Sequence, residues 1–122
     1  MSTPPSESRP DPVDRKQAAA AAKEAMSVID PLVRRVLGEL ADVCWGHNAP
    51  FRRKWTQNHQ GDSWRVQEAG GGAFFAVSVD IAHGMFRIDC AGEPLFTEAM
   101  NEEHLRRALA VAHHRGPARA RK

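Results

Sequence analysis

The stretch from Phe74 to Ala91 constrains the fold most, because it pairs with itself in a register that satisfies two independent patterns. With His83 and Gly84 as the two turn residues, Ile81 faces Phe86, Val79 faces Ile88 and Val77 faces Cys90, all on one side. The same register sets Asp80 opposite Arg87 on the other side, an opposite-charge pair of the kind that helps fix strand pairing. A two-residue loop favours positive φ at its centre, which Gly takes freely and His takes more often than most residues. An antiparallel hairpin with one apolar face is therefore expected.

The period-two pattern extends through the whole stretch from Gly46 to Gly92, where Gly, Asn and Asp clusters divide it into four strand segments. These run from Phe51 to Asn58, Ser63 to Glu68, Phe74 to Ala82 and Met85 to Ala91. A four-residue loop from Ala69 to Gly72 puts Val66 opposite Phe75 and Trp64 opposite Val77, which adds both to the apolar face. A four-residue loop from His59 to Asp62 likewise brings Trp55 opposite Val66.

Before this region the pattern is helical, with an alanine block from Ala18 to Ala22 and a stripe of Val33, Val36, Leu37, Leu40, Val43 and Cys44. Asp30-Pro31 reads as an N-cap and first helical position, which divides the stretch into helices over 13–29 and 31–45 or kinks a single one. After Pro94, Thr97 or Asn101 caps a last helix. Glu98, Glu102 and Glu103 lie near its positive end, and His113, His114 and Arg115 near its negative end. Its stripe is Met100, Leu105, Ala108, Leu109 and Ala112, and Gly116-Pro117 ends it. The expected fold is α+β, a four-stranded antiparallel meander with the N-terminal helices and the C-terminal helix packed on one face.

A chain of 122 residues, 42% hydrophobic and 26% charged, suits one domain with a single core. That domain is expected over 13–115, between a Pro- and Ser-rich disordered tail over 1–12 and a basic disordered tail over 116–122. The net charge is +2, but Arg115, Arg119, Arg121 and Lys122 supply +4 with no acid among the last eight residues, so the remainder sums to −2. The folded body is not a basic protein. No leader pattern, myristoylation glycine or membrane-length apolar run is present, which places the chain in the cytoplasm, away from membranes.

Three groupings bear on function. Phe51-Arg52-Arg53-Lys54-Trp55, followed by Trp64 and Arg65, mixes cations with flat aromatic rings, the ingredients of single-stranded nucleic-acid binding. Arg119, Arg121 and Lys122 add a basic end. The register nevertheless turns Trp55 and Trp64 inward, where they build core and cannot stack on bases. Cys44-x-x-His47 has ligand-like spacing, but Cys90 and His83 lie too far apart along one strand to share an ion, and no metal or cofactor is expected. Asp80 and Asp89 beside Ser78 and Arg87 read as the alternating charges of a solvated sheet face, not as an acid–base pair. With no nucleophile elbow, HExxH or Walker pattern, the chain reads as non-catalytic.

The leading expectation is a protein-interaction or adaptor module acting as a homodimer. Its contact surface is the outer sheet face, where Phe74, Ser78, Asp80, Met85 and Arg87 combine low relief with partly apolar character. The alternative is nucleic-acid binding through the segment from Arg52 to Arg65 and the basic end.

Overall fold

A computed structural model describes residues 12–46 and 54–119. Helix α1 spans Pro12–Trp45, and strands β1 (Trp55–Gln60), β2 (Ser63–Glu68), β3 (Ala73–Asp80), β4 (Met85–Asp89) and β5 (Leu95–Phe96) follow. Helix α2 (Glu102–Arg115) and a short strand β6 (Ala118–Arg119) complete the order. The sheet is antiparallel and runs β1-β2-β3-β4-β5 as a meander, with β6 joined to β3. The fold is α+β, as the periodicity requires.

Of the two arrangements open at Asp30-Pro31, α1 takes the single helix. Pro31 lies inside α1 and, lacking an N–H, removes one intrahelical hydrogen bond without ending the helix. The chain divides into two compact units at this point, one ending at Asp30 and one beginning at Pro31. Within the first, the Ser27 hydroxyl donates to the Glu24 carbonyl at 2.6 Å, and Val28 is exposed.

In the second unit, residues 31–45 of α1 present Val33, Val36, Leu37, Leu40 and Ala41 to the core, every one buried. The sheet contributes Trp64, Val66, Phe75, Val77, Val79, Phe86 and Ile88, and α2 contributes Leu105, Leu109 and Ala112. Both helical segments therefore lie on one face of the sheet. Asn101 caps α2, its side chain accepting from the His104 N–H at 2.8 Å, and Gly116 ends the helix with its N–H on the Ala112 carbonyl. Arg106 bridges the helices, with Nη1 2.9 Å from Glu39 Oε1 and Nε 2.8 Å from Glu102 Oε2. Arg35 adds a third contact to Glu102 at 2.6 Å.

The β2–β3 register is the expected one, with Trp64 opposite Val77 and Val66 opposite Phe75 across the loop from Ala69 to Gly72. Two other registers differ from expectation by two positions. Across β3–β4, Val79 faces Phe86 and Val77 faces Ile88, so the connection is the four residues Ile81 to Gly84. The cause is local. Asp80 Oδ1 accepts the His83 N–H at 3.1 Å and Asp80 Oδ2 lies 2.6 Å from His83 Nδ1, while Gly84 N–H reaches the Ile81 carbonyl. Only Gly84 takes positive φ, at 62°, so the two-residue turn centred on His83 does not form. Ile81 is displaced from the core and is exposed, and Asp80 faces Met85 instead of Arg87.

Across β1–β2 the connection is Gly61-Asp62 alone, which sets Gln57 opposite Val66 and Trp55 opposite Glu68. Gly61 takes a φ of 61° while Asp62 stays negative, the sign pattern of a tight II′ turn. A two-position slip preserves parity, so each residue that stays in a strand keeps the face expected for it, Ile81 alone passing from that face into the β3–β4 connection.

Candidate functional site: the outer face of the sheet

Parity sends Arg65, Phe74, Ala76, Ser78, Met85 and Arg87 away from the helices. Cross-strand pairing arranges this outer face in rows. Asn58, Arg65, Ala76 and Asp89 form one, and Gln60, Ser63, Ser78, Arg87 and Phe96 form the next. A third holds Thr56, Gln67, Phe74 and Ala118, and Asp80 stands beside Met85.

Small side chains at Ser63, Ala76 and Ser78 leave a groove of about 580 Å³ between taller neighbours, with Asn58, Gln60, Arg65, Gln67 and Asp89 on its walls. Its size falls within the range of ligand-binding clefts. On the β4 side Arg87 is held by Asp89, with Nε and Nη2 at 3.3 and 3.2 Å from Oδ1. At the far end the ring of His83 bonds to Asp80 and holds its carboxyl below the usual aspartate range.

Arg65 is different. Its guanidinium carbon lies 3.7 Å from the centroid of the Phe74 ring, a cation–π contact. Its Nε is buried and has no hydrogen-bond partner. The adjacent residues in its row, Asn58 and Ala76, are uncharged, and the nearest acid in that row, Asp89, is already engaged by Arg87.

The structure thus brings all five residues expected at the protein contact surface, Phe74, Ser78, Asp80, Met85 and Arg87, onto one face. Of the nucleic-acid set, Lys54, Trp55, Trp64, Arg65 and Arg119 are described, and these do not gather on one surface. Trp64 is 2% exposed, with its ring 5.2 Å from that of His59. Trp55 is half-buried and donates Nε1–H to Asp42 Oδ1 at 2.9 Å. Neither ring is free to take a stacked base. Lys54 is exposed just before β1, Arg65 lies on the outer face, and Arg119 is exposed in β6 opposite Ala73. Phe51, Arg52, Arg53, Arg121 and Lys122 lie outside the described residues, as does His47. The start of the expected basic tail, Ala118-Arg119, is paired to β3.

Cys44 and Cys90 are free thiols, both pushed up in pKa by burial. Among the described residues no three His, Cys, Asp or Glu side chains cluster as a metal site would require. No described helix is long and apolar enough to cross a membrane.

The groove walls supplied by Asn58, Gln60, Ser63 and Gln67 were not foreseen as site residues. Their signal was present in the alternation of β1 and β2, since each shares parity with Phe74 or Ser78 once the strands are paired. No family model matches the chain, and neither the curated proteins nor the solved structures contain a match to it.

Proposed function

We propose that the protein is a non-catalytic interaction module that docks a protein partner against the outer face of its sheet. The observation that carries this reading is a sheet whose two faces are equally well formed but unequally filled. The inner face is closed by helices, and the outer face holds a groove walled by Asn58, Gln60, Arg65, Gln67 and Asp89, with the half-buried Phe74 and Met85 elsewhere on the same face. Patches that combine apolar side chains with a polar rim are where protein partners bind.

A second copy of the chain is the first partner to consider. The strands of this face carry Arg65 and Arg87 against Asp80 and Asp89, so two copies stacked face to face meet without net repulsion. Nucleic-acid binding has weaker support, because Trp55 and Trp64 are engaged elsewhere and the described cations Lys54, Arg65 and Arg119 lie at different places on or beside the sheet.

The test is a photo-crosslinking amino acid placed at Ser78 on the groove floor, with the same group at the exposed Arg107 on α2 as control. The expected result in source cells is one discrete adduct from position 78 and none from 107. An adduct of twice the chain mass identifies self-association. Equal or absent labelling at the two positions overturns the reading.

A further inference from the structure

We infer that Arg65 is the receptor for an acidic side chain presented by the docked partner. This rests on the reading of the outer face as a docking surface and assigns the chemistry of its occupant. Arginine presents five N–H donors in a planar fork, and a buried donor without an acceptor is costly and rare in folded proteins. Arg65 Nε is such a donor. Other arginines among the described residues are matched to carboxylates: Arg35 to Glu102, Arg87 to Asp89, and Arg106 to Glu39 and Glu102.

The surroundings of Arg65 are built to hold the guanidinium still without neutralising it. The Phe74 ring supports one side of it at 3.7 Å. The neighbouring wall and floor residues Asn58 and Ser78 offer a neutral amide and a hydroxyl able to donate to a second oxygen, while the Ser63 hydroxyl already donates to the Gln60 carbonyl. Ala76, next to Arg65 across the strand pair, is too small to fill the space beside it. A cation fixed on an aromatic ring at the wall of a groove, whose one lining acid, Asp89, is already paired with Arg87, is complementary to a carboxylate. Arginine's fork meets such a group with two parallel hydrogen bonds.

The direct reporter is the Nε–H of Arg65 itself, observed by ¹⁵N–¹H correlation on the full chain and assigned by its loss in Arg65→Lys. Three probes are titrated: a doubly capped Gly-Glu-Gly-Glu-Gly peptide, its Gln counterpart, and inorganic phosphate. The expected result is a saturable shift of the Arg65 Nε–H with the Glu peptide, little change with the Gln peptide, and a weaker response to phosphate. In Arg65→Lys, binding followed on the Ala76 and Ser78 backbone amides weakens by roughly tenfold or more, as loss of a bidentate charge-assisted contact implies.

An Nε–H that the Glu peptide leaves in place overturns the assignment, as does one moved equally by the Gln peptide or by phosphate. If that happens while position 78 still crosslinks a discrete protein, the docking surface stands and only its carboxylate chemistry fails. If position 78 is also silent, the docking reading fails with it.

Discussion

Phe74 and Phe75 are neighbours in the chain and live in opposite surroundings. Phe75 is fully buried, facing Val66 across the strand pair with the ring of Trp45 5.9 Å away, and belongs to a face closed by two helical segments. Phe74 is half-buried on the other face, where its company is a cation and the edge of a groove. The two faces share one backbone and one set of strand pairs. What separates them is how each polar or charged group is answered. Near the core, Thr97 is satisfied twice, accepting the Phe86 N–H and donating to the Ala99 carbonyl, each at 2.9 Å. On the outer face Arg65 keeps an unanswered donor. The polar group beside the core is answered within the chain, whereas the buried guanidinium N–H of the outer face is not.

The contrast is sharpest at the two phenylalanines. Phe75→Ala should destabilise by about 3–5 kcal/mol, the usual cost of emptying a well-packed aromatic site, read as a lower denaturant midpoint with an unchanged slope. Phe74→Ala should cost about 1 kcal/mol, near the value of an exposed cation–π contact, while abolishing the peptide-induced shift at Arg65. Equal losses at the two positions would mean that the outer face is core after all.

Between these extremes falls Thr97→Val, which keeps the shape but strands the buried Phe86 N–H. Its expected cost is about 1–3 kcal/mol, checked by the same denaturation. Asn101→Ala removes the α2 cap and should cost about 1 kcal/mol, visible as a lower thermal midpoint.

The smallest effect belongs to the Arg106 network. Hydrogen bonds from Arg106 hold the carboxyls of Glu39 and Glu102 below the ordinary glutamate value. A lowered folded-state pKa contributes stability that is fully present above the ordinary value and is lost as pH falls through the lowered one. The wild-type advantage in thermal midpoint over Arg106→Met should therefore shrink as acid is added. Both partners are solvent-exposed, so that advantage is small even at neutral pH. A difference that persists unchanged in strong acid would show that Arg106 acts through packing alone.

Much of this contrast was legible in the chain before folding. Alternation assigned Trp64, Val66, Phe75 and Val77 to the inner face and Phe74 and Ser78 to the outer, and the Ala69 to Gly72 loop gave the β2–β3 register correctly. The other two hairpins kept their faces but not their pairing. Parity is blind to a two-position slip, and the deciding contacts were polar and local: Asp80 capturing His83, and Gly61 supplying positive φ. Asp30-Pro31 could equally cap a second helix or lie within a single one, and local sequence does not decide between them; one lost hydrogen bond did not end α1. The role of Arg65 stayed hidden for a related reason. Its rows join residues from up to four strands, and a guanidinium without an acceptor is a property of their assembly and not of any segment.

The pairing of β6 with β3 carries a practical consequence. Ala118 stands directly opposite Phe74 and Arg119 opposite Ala73, so β6 lies beside the ring on which the Arg65 guanidinium rests. A purification tag or fluorescent fusion appended after Lys122 would be tethered within a few residues of the Arg65 pocket. Such a fusion should depress the recognition it was made to measure, and an affinity handle for this protein belongs at its other end.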